Sequence, residues 1–171
     1  VYGLAVLPPD GLLVGTRNGL YHREGSRWRS YRAPDGLPDD FVTAVHPDGA
    51  GGAWIGTAAG LARWRDGKLE GSGTPETDQA FVLSLARTPA GALYVGLRAG
   101  GVVVMEPTGV RVIGEAEGFS DQSVWSLDAT PDGGVWAGTN GEGAFYLTPD
   151  SVRRVSGDDG LINDFVWQVL R

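Results

Sequence analysis

Trp54-Ile55-Gly56-Thr57 returns further along the chain as Trp136-Ala137-Gly138-Thr139. Looser copies stand at Leu13-Val14-Gly15-Thr16 and Tyr94-Val95-Gly96-Leu97, so that the four glycines lie 41, 40 and 42 residues apart. A valine (Val1, Val42, Val82, Val124) precedes the large apolar residue of each copy by 12 positions. A period of about 40 to 45 residues filled with short strands is the sequence mark of β-propeller blades. In such a repeat architecture function gathers in the loops of one face.

Each repeat divides into four strands. The first follows the valine, is apolar on both faces and carries a small residue at its middle (Gly3, Ala44, Ser84, Ser126). That pattern suits a strand packed on both sides at the centre of a ring. A Pro-Asp-Gly or Pro-Ala-Gly turn comes next (Pro9-Asp10-Gly11, Pro47-Asp48-Gly49, Pro89-Ala90-Gly91, Pro131-Asp132-Gly133). There Pro sets φ, Asp bonds nearby backbone and Gly takes the positive φ of a tight turn. The second strand holds the aromatic and the Gly-Thr pair, whose threonine is expected to bond to a neighbouring loop. A Gly-rich turn leads to the third strand, and the fourth is the most polar, as at Arg27-Trp28-Arg29-Ser30-Tyr31. Burial that declines along the repeat places the last strand outermost. No stretch has helical periodicity.

The predicted fold is all-β: one β-propeller domain over 1–171 with four four-stranded antiparallel blades, approximately 1–36, 42–76, 82–117 and 124–159. An extra inner strand over 166–170 follows them. Four blades make a fragment, or half, of a larger ring, so the expected partners include a second copy completing the ring as a dimer, or the remainder of a larger propeller.

The 171 residues are 42 % apolar, with 28 glycines, no cysteine and a net charge of −7. Without cysteine there is neither a disulfide nor thiolate-held zinc. The acidic balance disfavours nucleic acid and anionic membranes. The arginines Arg23, Arg27, Arg29 and Arg32 read as a charged outer edge that discourages sheet-to-sheet aggregation. No apolar run reaches the ~20 residues of a spanning helix, so no direct membrane insertion is expected.

In the run Gly36-Leu37-Pro38-Asp39-Asp40-Phe41-Val42, followed by Pro47-Asp48-Gly49, Trp54-Ile55-Gly56-Thr57 and Gly60-Leu61-Ala62-Arg63, the chain resembles the two-component regulator propeller repeat. The resemblance extends over the whole chain. It weakens in the third repeat, where Leu97 replaces the threonine and Thr77-Asp78-Gln79-Ala80 replaces the Gly-Leu-Pro stretch. It implies a ligand-sensing propeller of a bacterial signalling receptor, periplasmic or extracellular, taking a small polar ligand or a glycan, and not an enzyme. The alternatives are a protein-interaction scaffold and, less favoured, a propeller lyase or hydrolase.

Strand direction decides which loops share a face. In an antiparallel blade the turn between strands two and three and the connection from strand four to the next blade emerge together. The candidate ligand-binding residues on that face are Arg17, Asn18, Asp39, Asp40, Arg98, Asp121, Gln122, Trp125, Asn140, Glu142, Asn163, Asp164 and Trp167, with Asp78 and Gln79 beside them. Aromatic platforms with amide, carboxylate and guanidinium groups suit a polar ligand that has an apolar face. The structural alternative is that Asp40, Asp121 and Asp164 bond loop backbone, and that Trp125 and Trp167 pack in the core. Trp54 and Trp136 read as packing between blades. The two histidines, His22 and His46, occupy non-equivalent positions, so no catalytic set, cofactor or metal site is expected; Asp158, Asp159 and Asp164 lack the spacing of a calcium loop.

Overall fold

The computed structural model describes residues 1–120 and 123–170. The chain gathers into two compact units, Val1–Val82 and Leu83–Arg171, each taken by itself here.

The first unit holds two four-stranded antiparallel sheets. Strands β1 (Gly3–Leu7), β2 (Gly11–Thr16), β3 (Gly19–Glu24) and β4 (Arg27–Tyr31) form one, and β5 (Val42–Pro47), β6 (Ala53–Thr57), β7 (Gly60–Arg65) and β8 (Lys68–Gly71) the other. In the second unit β9 (Val82–Arg87) to β12 (Gly109–Ile113) make the third sheet, with β10 at Leu93–Leu97 and β11 at Val102–Glu106. The fourth consists of β13 (Val124–Ala129), β14 (Val135–Thr139), β15 (Ala144–Leu147) and β16 (Val152–Val155). Every sheet runs in chain order from its first strand to its fourth. The fold is that of β-propeller blades.

The periodic glycine sits where the next blade's valine arrives. A Cβ on Gly15 would lie 2.6 Å from Val42 Cγ1, one on Gly96 2.9 Å from Val124 Cγ1, and one on Gly138 3.0 Å from Val166 Cγ1. Only glycine leaves room for that approach. Leu13, Leu20, Tyr31, Ile55, Ala62 and Trp64 fill the core of the first unit, and Tyr94, Val104, Phe119, Phe145 and Leu147 that of the second. Each such side chain contributes about 1.5–3 kcal/mol by leaving water. The outer strands are polar: β4 is exposed except for Tyr31, and β16 has no buried residue.

Three local features differ from the sequence reading. Residues 33–35, 75–77, 115–117 and 157–159 form single 3-10 turns, too short to leave a periodic signal. Thr16, Thr57 and Thr139 bond within their own turns: each Oγ1 donates to the carbonyl of Gly19, Gly60 or Gly143, at 3.0, 2.8 and 2.7 Å. Residues 166–170 occupy the place of a further inner strand without a ladder. They are tied by Val166 N donating to Thr139 O and Val169 N to Ser126 Oγ, both at 2.9 Å.

Candidate functional site

The loop rim assembles as strand direction requires. In the first unit Gly19 N, in the turn after β2, donates to Asp40 O in the connection after β4 at 2.7 Å; in the second, Gly143 N donates to Asp164 O at 2.8 Å.

The carboxylates on these connections hold backbone. Asp40 Oδ1 accepts from Ala33 N and Asp39 Oδ1 from Phe41 N, both at 2.7 Å. The last connection repeats the device, with Asp164 Oδ1 accepting from Gly157 N at 2.7 Å and Asn163 Oδ1 from Phe165 N at 2.8 Å. In both places the aspartate satisfies the first N–H of a 3-10 turn seven residues back, and the residue before it bonds the N–H two residues on. Asp40 also pairs with Arg32 at 3.5 Å, an exposed and therefore weak bridge. Asp159 Oδ2 accepts from Ser156 N at 3.0 Å. Among the described residues no His, Asp and Glu side chains group as a metal set. In the second connection hydroxyls replace carboxylates: Thr77 Oγ1 donates to Thr74 O at 2.9 Å, while Gln79 takes a positive φ of 61°.

The remaining candidates fall into two places. In the first unit Arg17 lays its guanidinium over the Phe41 ring at 5.2 Å, and Phe41 meets Tyr2 at 5.0 Å and Phe81 at 5.9 Å, both edge-on. Asn18 stands exposed in the same turn, its N–H donating to Thr16 Oγ1 at 3.0 Å. In the second unit Trp125 is the extra residue of a bulge between Val124 and Ser126; bulges commonly re-aim a side chain at a rim. Its ring lies 5.2 Å from that of Trp167, tilted by 39°. Trp167 is 65 % exposed, whereas the Trp125 Nε1–H is buried and finds no acceptor among the described residues. Glu142, on the same rim, takes Ser120 N–H at 3.1 Å and the Ser120 hydroxyl on Oε1, while its Oε2 is buried without a donor among the described residues. Asn140 N donates to Ser123 O at 3.0 Å, and Ser123 Oγ donates to Arg98 O at the same distance. Asp121 and Gln122 lie outside the described residues.

Two further side chains differ in position from the sequence reading. Trp54 and Trp136 are half-buried, each against the third strand of its own blade: Arg63 lies 5.2 Å over Trp54, and Tyr146 lies 4.9 Å from Trp136. His46 Nδ1 is 2.8 Å from Pro47 O, and His22 packs its ring on Trp64 at 4.7 Å.

The sequence reading did not single out a groove of about 790 Å³ at the other end of the first unit, lined by Leu7, His22, Arg29, Tyr31 and Trp64 among others. Its walls come from two blades that touch only in three dimensions, and no single segment carries a signal for it. Among the described residues no helix is long and apolar enough to cross a membrane.

A family described as two component regulator propeller matches residues 36–59. Among solved structures the chain is similar to the extracellular domain of a hybrid two component system from B. thetaiotaomicron. That match has a TM-score of 0.80 at 23 % identity and covers 96 % of this chain and 24 % of the other. A second extracellular domain of the same kind, also from B. thetaiotaomicron, gives 0.74 at 17 % identity, with 91 % and 24 % covered. Virginiamycin B lyase from Staphylococcus aureus gives 0.70 at 15 % identity, with 90 % and 54 % covered. The chain thus spans about a quarter of the length of the extracellular domains it matches. No curated protein sequence matches it.

Proposed function

From a chain that carries the two component regulator propeller repeat, we propose a ligand-sensing module of an extracytoplasmic bacterial receptor, taking a small polar ligand or glycan on the loop rim. The observation that carries this reading is the Trp125–Trp167 pair. Among the described residues, an exposed indole face stands beside a buried indole N–H without an acceptor, on a rim where Glu142 keeps an oxygen without a donor. A buried donor and a buried acceptor left unpaired each cost about 1–3 kcal/mol, a cost that a polar ligand stacked on Trp167 would offset. Sugars offer that combination of an apolar ring face and hydroxyl edges.

Signalling then follows from differential affinity: a ligand that prefers one arrangement of the receptor shifts its population towards that arrangement. The partners are further blades of the same kind, from the remainder of a larger propeller or from a second copy. Leu4 and Val6 form the exposed face of β1, with Tyr2 exposed just before it, a face that suits another blade. The test is calorimetric titration of the folded chain with a panel of mono- and oligosaccharides and polar metabolites. One of them is expected to bind, and Trp167→Ala to weaken it by about tenfold or more. A folded chain that binds none of the panel, or binds undiminished after Trp167→Ala, overturns the reading.

A further inference from the structure

Blade one turns one face of its four strands towards blade two, and that face changes character along its length. Towards the loop rim Leu20 and Tyr31 pack in the shared core with Ile55, Ala62 and Trp64. Towards the opposite rim the cross-strand partners are His22 with Arg29 and Glu24 with Arg27. Blade two meets them there with Gly51 and Gly67, which have no side chain to fill the space. The result is the groove of about 790 Å³, a size at which proteins hold small organic ligands.

Its wall is aromatic and rich in donors. Trp64 is 4 % exposed, and its Nε1–H is buried with no acceptor among the described residues. The Arg29 guanidinium lies 4.9 Å over the Tyr31 ring, a cation–π contact. Among the described residues neither Arg27 nor Arg29 has an ion-pair partner, whereas nearby Arg63 and Arg65 both grip Asp48. The acids lining the groove, Asp10, Glu24 and Asp66, sit at its hairpin ends.

We propose that this groove between blades one and two is a second binding site, for a small ring-bearing carboxylate whose carboxyl group lies on Arg29 and whose ring lies against the Trp64–Tyr31–Leu7 wall. A planar guanidinium offers a carboxylate two parallel hydrogen bonds, and burial of the ring adds apolar contact. The site is independent of the loop rim.

Phenylacetate and glucuronate supply the shared chemistry from two sources, with phenylethanol and glucose as their uncharged counterparts. The readout is the Trp64 indole N–H resonance of the ¹⁵N-labelled chain, assigned by triple-resonance experiments. At least one carboxylate is expected to move it saturably, about tenfold or more tighter than its uncharged counterpart. Arg29→Gln should weaken binding by about tenfold or more, Arg29→Lys by less because the charge remains without the fork, and Trp167→Ala not at all. Arg29 is exposed, so these variants keep the fold, and their melting temperatures verify it. The site is refuted if neither carboxylate moves the resonance up to ~20 mM, if an uncharged counterpart binds as well as its acid, or if Arg29→Gln binds unchanged.

Discussion

The hairpin that opens β6 and the hairpin that opens β14 both contain Pro-Asp-Gly, and they use the aspartate in opposite ways. In the first unit Asp48 is buried, with a side chain 1 % exposed. Its Oδ1 accepts from Ala50 N and Gly52 N at 2.8 Å, and its Oδ2 from Arg63 Nη2 at 2.6 Å and Arg65 Nη2 at 2.9 Å. In the second unit Asp132 is out in solvent and accepts from Tyr146 Oη at 2.8 Å. Strand register explains the difference. Asp48 N donates to Gly52 O at 2.9 Å, and the residue that makes the equivalent bond in the second unit is Thr130, to Gly134 O at 2.8 Å. The three-letter motif has slid by two positions between the hairpins. The third-strand partner has not moved: Arg63 faces Trp54 and Tyr146 faces Trp136 across the ladder. A turn motif is therefore no structural address, whereas the cross-strand pair is one.

If that difference is right, truncating the two aspartates gives unequal results. Asp48→Ala strands two backbone N–H groups and two guanidiniums. It should lower the unfolding free energy by about 2–3 kcal/mol in urea titrations, the partial exposure of both arginines keeping the loss moderate. Asp132→Ala should leave the midpoint nearly unmoved. Equal losses would break the comparison.

Acid sharpens it. Burial alone would raise the Asp48 carboxyl, but the Ala50 N–H, Arg63, Gly52 N–H and Arg65 together hold it well below its ordinary value of 3.8. A carboxyl depressed by folding stabilises above the unfolded pKa, and that contribution is lost as the pH falls further towards the folded value. Stability measured from about pH 6 down to about pH 2 should therefore fall, and Asp48→Asn should flatten part of that fall. An unchanged slope in the variant would remove Asp48 as a source. Asp132 is also lowered, by its bonds from Thr130 and Tyr146, but it is fully exposed, so its variant should leave the slope almost intact.

The same contrast shows what the sequence could disclose. The blades, their order and the strand that carries each Gly-Thr pair were legible because close packing of a Gly against a neighbouring Val recurs at fixed spacing. The convergence of the loops was legible from antiparallel direction alone. What those loops do was less so. Asp39, Asp40, Asn163 and Asp164 look alike in a sequence whether they face a ligand or hold loop backbone, since a side-chain oxygen serves either purpose. The burial of Asp48 depends on Arg63 and Arg65, 15 and 17 residues away. The groove depends on glycines of blade two opposite charged residues of blade one, a pairing that no local pattern reports.

The glycines that close the two hairpins provide the next test. A Cβ on Gly52 would lie 2.6 Å from the Trp64 carbonyl oxygen and 2.8 Å from Asp48 Oδ2. The first is backbone within a ladder and cannot yield. A Cβ on Gly134 would instead strike the Tyr146 ring and hydroxyl, the far end of a side chain that can swing. Gly52→Ala should cost about 2 kcal/mol by overpacking, Gly134→Ala clearly less, with altered near-ultraviolet circular dichroism as Tyr146 leaves Trp136. Equal costs would mean that the two hairpins share more rigidity than their bonding implies.

A comparably small effect belongs to Tyr146→Phe. The hydroxyl bridges Asp132 and Thr130 Oγ1, at 2.8 and 3.3 Å, outside the core. Thr130 Oγ1 also donates to Gly134 O at 3.0 Å, so the hairpin retains a closing bond when the phenol is lost. The ring of the variant still packs on Trp136. Thermal melts should therefore show a shift smaller than that of Arg63→Met, which removes both the grip on Asp48 and the guanidinium over Trp54. The two variants change the same cross-strand position, where the acidic partner is buried in one hairpin and exposed in the other. A Tyr146→Phe loss as large as that of Arg63→Met would show that solvent does not weaken the Asp132 bond, and the contrast between the hairpins would then rest on packing alone.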